Sequence, residues 1–392
     1  MRFLRTVSTR RLVLVVAAVF GLAAGGATIA LAARGGGPTP PAKPLDKAIH
    51  DALTGPNPAG ITARVQFTNK LFPSGALLGN AGSALMSGAS GRLWATDNGL
   101  GRIELQSDAG DVEIVWNEST VSVYDASSNT VYRVALPART AGDSSTGENG
   151  APPALSEIDT LLNEVGAHAA ISAAHPTDVA GRPAYDVSVS PKHDGGLLAS
   201  AELAWDAERG VPLRVAIFAH GSSAPVLELT VTQVSYGSVP AGDVAIQPPS
   251  GAKVIDLGSR ANDSSGGNEA GPVTGLGAVQ AAADFPVTAP DKLVGLPRQD
   301  VRLVGGTDSK TVLVVYGHGL GAIIVVERKA GTARPSGGAS SSLPTVSLDG
   351  VTAHELATQL GTVLEWRQAG TSYVHAGSLP SAAAEAAARQ LK

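Results

Sequence analysis

The residue types that could do chemistry are few and thinly spread in this 392-residue chain. Eight histidines stand at His50, His168, His175, His193, His220, His318, His354 and His375. None forms an H-x-x-x-H pair or sits beside a cluster of carboxylates, so no helix face presents two imidazoles to a metal. The chain has no cysteine, which removes thiol catalysis, disulfides, cysteine-ligated metals and the cysteine that carries the lipid of a lipoprotein. No G-x-S-x-G elbow supplies an activated serine. Asp206 and Glu208 flank a turn and read as solvated turn residues. No carboxylate pair stands where a glycosidase would need one. The glycine cluster Gly317-His318-Gly319-Leu320-Gly321 invites a phosphate-loop reading, but such a loop needs a helix after its glycines. Here Ala322-Ile323-Ile324-Val325-Val326 follows, a β-branched run that favours a strand. Val312 to Glu327 is therefore a hairpin. The chain reads as a non-enzyme, with no cofactor and no metal.

The elements around these residues begin with the N-terminus. Arg2, Arg5, Arg10 and Arg11 precede an uncharged, mostly apolar run from Leu12 to Ala33. As a helix its length reaches roughly 33 Å, enough to cross a bilayer core. The basic flank predicts a cytoplasmic N-terminus and an exported bulk. A cleaved signal peptide is the rival reading, since Ala30-Leu31-Ala32 fits a cleavage site. The apolar run exceeds the usual hydrophobic core of a signal peptide, which favours a retained anchor. Removing the five arginines of residues 1–34 from the formal charge of −5 leaves −10 for the exported part. That excess carries no electrostatic footprint for nucleic acid.

Glycine (47) and proline (25) are abundant, as suits many short strands joined by turns. After the anchor (1–34) and a Gly/Pro tether (35–44), the pattern predicts a large β domain over 45–257. Leu45, Ala48, Ile49, Ala52 and Leu53 recur at helical spacing. Strands then alternate from Ile61 to Phe67, from Arg92 to Leu136 and from Tyr185 to Val231. A second helix, with Ser156 able to cap it and Gly166 to end it, covers Leu155 to Val165. Leu71 to Gly91 is apolar yet carries five glycines. It reads as an irregular loop packed on the core, or as a mobile flap over an apolar cavity. A Ser/Gly/Asn-rich linker (258–274) separates a C-terminal domain (275–392). There Thr352-Ala353-His354-Glu355 fits a capping box, with Leu356 and Leu360 on one helix face and Gly361 as the stop. A hairpin turns at Ala369-Gly370, and an alanine-rich helix starts at Ser381.

Three phrases carry a family resemblance. TVSVYDASSNTVYRVALP (Thr120 to Pro137), LAWDAERGVPLRVAIFAHG (Leu203 to Gly221) and VPAGDVAIQPPSGAKVI (Val239 to Ile255) resemble the strand pair, tryptophan strand and closing segment of the LolA/LppX-like lipoprotein-carrier superfamily. YGHGLGAIIVVE and GTSYVHAGSLPSAAAEAAARQL resemble phrases of the RseB/MucB sigma-factor regulators, which add a small C-terminal domain to a LolA-like one. His318 stands where that phrase usually has an aspartate. The resemblance implies a mainly β, α+β chain: a large curved antiparallel sheet or unclosed β-barrel with a helical lid, plus a small α+β C-terminal domain. It also implies an apolar interior that accepts acyl chains and, in the regulators, contact with an anti-sigma factor.

The expected partners are accordingly a lipid or lipoprotein acyl chain, the cytoplasmic membrane through the N-terminal helix, and a membrane-spanning regulatory protein, with nucleic acid excluded. The expected cavity residues are Phe67, Leu105, Ile114, Trp116, Val123, Val134, Trp205, Val215, Ile217 and Leu229, with Leu77, Leu78, Leu85 and Met86 in the lid. A register slip of one residue would turn every one of the strand positions to the other face. For the tryptophans, filling a core is the competing role.

Overall fold

A computed structural model of the chain describes residues 37–71, 84–136, 154–192, 196–245, 247–256, 273–304, 310–318, 321–331 and 343–391. The Leu12–Ala33 run, Leu77, Leu78, His193, the polar loop from Arg139 to Pro153 and most of the linker lie outside the described residues. Among those described, no helix is long and apolar enough to cross a membrane.

The chain is mainly β, in two sheets. Helix α1 (Leu45–Thr54) and strand β1 (Gly60–Asn69) come first, then a single helical turn, α2 (Ala84–Ser87). The meander β2 (Ala89–Thr96), β3 (Gly101–Ser107), β4 (Gly110–Trp116), β5 (Thr120–Asp125) and β6 (Thr130–Ala135) follows. Helix α3 (Leu155–His168) leads to β7 (Ala169–Ile171), β8 (His175–Val179), β9 (Arg182–Pro191), β10 (Leu198–Asp206), β11 (Pro212–Ala219) and β12 (Leu227–Tyr236). A short α4 (Ala241–Val244) and β13 (Lys253–Asp256) complete the first sheet. Its 13 strands run in the order β13-β6-β5-β4-β3-β2-β1-β12-β11-β10-β9-β7, with β8 also on β9. β1 and β12, far apart in the chain, pair at its centre. The closing segment pairs parallel to β6 rather than antiparallel.

The second sheet contains β14 (Lys292–Leu293), β15 (Leu296–Val304), β16 (Thr311–Tyr316), β17 (Ile323–Lys329), β18 (Thr345–Leu348), β19 (Val351–Ala357), β20 (Thr362–Gln368) and β21 (Thr371–Gly377). Helices α5 (Leu276–Ala282) and α6 (Ser381–Arg389) accompany it. Ala384, Ala387, Ala388 and Leu391 recur at helical spacing and are buried with Val312, Val314, Leu364 and Trp366. Small side chains let this helix lie close on the sheet. The glycine cluster is a hairpin bend, since Tyr316 pairs with Ile323.

Four two-residue hairpins use the same device. Ala180-Gly181, Val294-Gly295, Asp349-Gly350 and Ala369-Gly370 all have positive φ at both positions, the geometry that matches the twist of the flanking strands. The Asp349-Gly350 turn overturns the expected helix at Thr352 to Leu360. It pairs Leu348 with Val351, and β19 then finds hydrogen-bond partners on both sides, in β18 and β20. A capping box is worth about 1 kcal/mol and loses to a strand paired along both edges. The cap of α3 also differs from expectation. Glu157 accepts the N–H of Ala154 at 3.1 Å, and the helix runs through Gly166 to His168.

Asp206 is not a solvated turn residue. Its side chain is fully buried, and Oδ1 accepts the N–H groups of Glu208 (2.9 Å) and Arg209 (3.1 Å). Oδ2 accepts Arg182 Nε (2.9 Å) and the Tyr236 hydroxyl (2.7 Å). Burial alone would push this carboxyl up; the bonds from Tyr236, Arg182 and the Glu208 N–H outweigh it and hold it below the usual value. Glu208 is the exposed member, at 65%. Asp206→Ala would strand Arg182 and Tyr236 and release the turn, so urea unfolding should show a loss of about 3 kcal/mol or more.

The second sheet buries two titratable groups on adjacent strands. Glu327 accepts the Thr288 N–H at 2.9 Å through one oxygen, while its other oxygen has no partner among the described residues. Burial pushes its carboxyl up to about 7, and burial pushes the His375 imidazole down to about 4. Burial thus favours the uncharged form of both, His375 at neutral pH and Glu327 below about 7. The raised Glu327 favours folding below its unfolded pKa of 4.5, and that contribution is lost as pH rises to about 7. His375 acts oppositely: its contribution is present above 6.5 and lost as pH falls through about 4. Glu327→Gln should abolish the alkaline loss, gaining about 1–3 kcal/mol at pH 8, and leave the acid loss in place. Urea unfolding at pH 5 and pH 8 checks this.

Candidate binding face

The register of the large sheet decides which side chains share a face. Phe67 lies opposite Leu229 and Ala89, and Leu229 opposite Val215. Leu203 pairs with Val215 and Val187, and Ile217 with Ala201 and Leu227. In the other direction Leu93 pairs with Ala63 and Ile103, Ile103 with Ile114, Ile114 with Val123, and Val121 with Trp116 and Val134. Phe67, Leu105, Ile114, Trp116, Val123, Val134, Trp205, Val215, Ile217 and Leu229 all occupy that one face, at alternate positions along their strands.

They do not all meet. Phe67, Leu105, Ile114, Trp116, Val123 and Leu229 are buried in one cluster, with Val215 and Ile217 half-buried against it. Val134 is half-buried at the β6 margin and lies outside that cluster. Trp205 belongs to a separate group with Ala48, Tyr185 and Val187, covered by Leu45 and Ala52 of α1. There its ring stands 6.2 Å from that of Tyr185, whose hydroxyl donates to Pro41 O at 2.7 Å. Trp205 is therefore packed under α1, the core role that aromatics commonly take. The cluster also contains Ile61, Val65, Leu93, Ile103, Val112, Leu213 and Leu227, which the same alternation would have found. Leu356 and Leu360, from the second sheet, pack on it too. Nothing in the sequence signalled these two.

Of the lid candidates, Leu85 and Met86 form α2, and Leu85 packs on the cluster. Asn69 fixes this turn. Its Nδ2 donates to Leu85 O at 2.8 Å, and its Oδ1 accepts the Leu71 N–H at 3.0 Å. Two glycines fit the face to its tryptophan and its bend. At Gly101 a Cβ would lie 2.0 Å from the Trp116 ring, so only glycine lets the indole cross β3. At Gly91 a Cβ would lie 1.8 Å from the Glu104 carbonyl, a close approach of neighbouring backbones.

The paired arginines lie on the other side. Arg214 pairs with Glu228 (2.6 Å), Glu202 (2.8 Å) and Asp186 (3.5 Å), and Arg102 pairs with Glu113 (3.0 Å) and Glu104. Burial pushes the Glu113 and Asp186 carboxyls up despite these arginines. A depression of about 470 Å³ is lined by Glu113, Tyr124, Arg133, Val244, Gln247 and Pro248. On the apolar face the described strands carry two carboxylates: Asp125, held in the β5–β6 turn by Ser127, and Asp178 of β8, opposite Pro183. Among the described residues the face is mostly apolar. It can bind by excluding water.

No family model matches the chain, and none of the curated proteins matches it. Solved structures do resemble it. MucB in complex with MucA(peri) is 14% identical, covering 89% of this chain and 97% of that one, with a TM-score of 0.42. The complex structure of Pseudomonas aeruginosa MucA/MucB is 15% identical, covering 88% and 96%, with a TM-score of 0.42. A putative outer membrane lipoprotein-sorting protein domain from Vibrio parahaemolyticus is 10% identical, covering 52% and 96%, with a TM-score of 0.24. The structural neighbours are thus MucB and a lipoprotein-sorting domain. They come from the two groups whose phrases the sequence resembles, at low identity and low TM-score.

Gly101→Ala tests whether the face is built around Trp116. The added methyl must displace the indole, and thermal or urea unfolding should show a loss of about 1–3 kcal/mol with quenched or shifted tryptophan emission.

Proposed function

We propose that this chain is a membrane-anchored extracytoplasmic binding protein whose large sheet holds a lipid or lipoprotein acyl chain against its apolar face. The observation that carries the reading is the convergence of alternate apolar residues from ten strands on one face, with the ion pairs of Arg102 and Arg214 on the other. An acyl chain is the ligand chemistry that needs no polar partner. Its burial is worth about 0.8 kcal/mol per methylene, so ten methylenes offset a large ordering cost. The arginine-flanked Leu12–Ala33 run supplies the location: one pass through the cytoplasmic membrane with the bulk outside.

A second reading makes the chain a regulator that senses such a ligand and contacts a membrane-spanning partner, an anti-sigma factor in the family its C-terminal phrases resemble. One observation favours keeping it: the second sheet is hydrogen-bonded to the end of the first, through Gln359 to Leu71 and Ser378 to Leu198. A carrier has no evident need of that contact.

Native mass spectrometry of the chain, purified without detergent washing, separates these readings. A co-purifying lipid or acylated peptide of discrete mass is the expected result. A protein that arrives empty and takes up no added acyl probe would overturn the binding reading and leave the protein-contacting one.

A further inference from the structure

At one end of the apolar face, where β1 finishes at Asn69 and β12 begins at Leu227, the contact comes from the other sheet. The β19–β20 turn, Thr358 to Gly361, sits there. Gln359 donates its backbone N–H to Leu71 O (3.1 Å) and its side-chain Nε2 to Lys70 O (2.6 Å). Lys70 in turn donates to Val226 O (2.6 Å), so this is the end at which β1 and β12 meet. Leu356 and Leu360, either side of Gln359, pack on the large sheet's cluster. A second tie lies beside the first. Ser378 accepts the Leu197 N–H through its carbonyl (2.9 Å) and the Leu198 N–H through its hydroxyl (2.8 Å), at the start of β10.

Two features mark the turn as made for this contact. Leu356 alternates with Ala353, which faces its own sheet's core opposite Trp366. Leu356 therefore sits on the side of β19 turned away from that core, opposite Val363 of β20. The turn is also preformed. Thr358 Oγ1 accepts the N–H groups of Leu360 (3.2 Å) and Gly361 (3.1 Å) and donates to Gly361 O (2.8 Å). The Ser378 hydroxyl donates to Leu360 O at 2.9 Å, joining the turn to the second tie. At Gly361 a Cβ would lie 2.3 Å from Gly377 O, so only glycine brings these backbones together. A piece held this tightly moves with its sheet rather than by itself.

We infer that the β19–β20 turn is a stopper on the apolar interior: Leu356 and Leu360 occupy the end of the face that an acyl chain would fill, and the second sheet is displaced when one does. The inference rests on the binding reading above and makes the second sheet the reporter of occupancy. The ligand and the two leucines compete for the same apolar surface. Binding is therefore weakened by the fraction of molecules in which the turn is seated. By linkage, the ligand unseats the turn by the same factor.

The test uses the full chain and cis-parinaric acid, a fluorescent fatty acid. Wild type is compared with the double variant Leu356→Ser/Leu360→Ser and with Gln359→Ala, which removes only the side-chain bond to Lys70 O. Because the chain has no cysteine, Ser128→Cys and Gln299→Cys place one spin label on each sheet. The double variant should bind the probe about tenfold tighter and Gln359→Ala by a smaller factor, as removing a conformational tax requires. Saturating probe should shift the distance between labels in the otherwise wild-type chain. Equal affinity in all three with unchanged distances would overturn the stopper and leave the binding reading standing. Probe binding by none of them would overturn both. Should the double variant fail to fold, Gln359→Ala and the label distances still decide.

Discussion

A strand that alternates apolar and polar side chains commits one whole face of its sheet to exclusion from water. In this chain that commitment extends over ten strands at once, and the rest of the first domain is arranged around it. Alternation places Ile114 and Phe67 inward and Arg102 and Arg214 outward. The outward side needs only ion pairs and water. The inward side needs a cover, and no single element supplies it. Helix α1 covers the Trp205 side, α2 is pinned on by Asn69, and two leucines arrive from a different sheet.

The same constraint explains where residues are forced. Gly101 exists for Trp116, and Gly91 for the close approach of β2 to β3. Asp206 is buried because the turn it organises lies against α1: at Gly210 a Cβ would fall 2.1 Å from Ala52 O. One carboxylate thus fixes a turn, the turn seats a helix, and the helix covers a tryptophan. The second sheet tolerates a different cost, burying Glu327 and His375, whose charged forms burial disfavours, in its core.

Alternation was legible in the sequence because it is local, so most strands of the meander could be read directly, whereas the face each strand turns inward depends on register. Which of the ten expected cavity residues sit together was not legible, because it depends on what lies over them. Trp205 and Trp116 have the same sequence character, and α1 separates them into different clusters. Asp206 looked like an ordinary turn carboxylate because its partners, Arg182 and Tyr236, are 24 and 30 residues away. The Ala180 and Val294 hairpins were missed because their signal is only a glycine in second place, and the Asp349-Gly350 hairpin, an Asp-Gly turn, because the capping-box reading beside it took precedence. The helix expected at Thr352 failed for a related reason. A capping box is read from four residues, whereas the strand is imposed by neighbours on two sides.

The covers of the apolar face are unequal, and the inequality bears on where anything could enter. Under α1 the contact is anchored by the Asp206 turn, the Tyr185 hydroxyl on Pro41 and a whole helix of ten residues. Opening it would expose Trp205 and Tyr185 and part α1 from the turn that Asp206 organises. The cover at the Leu71 end consists of two half-buried leucines and a few hydrogen bonds that water could replace. Full burial of a leucine is worth about 1.5–3 kcal/mol, and these two are only partly buried. An acyl chain of modest length offers more apolar surface than both. Entry at this end therefore trades one apolar cover for a better one, whereas entry beneath α1 would dismantle part of the fold. The cover that yields most easily belongs to the second sheet, so occupancy of the first domain would be felt in the second.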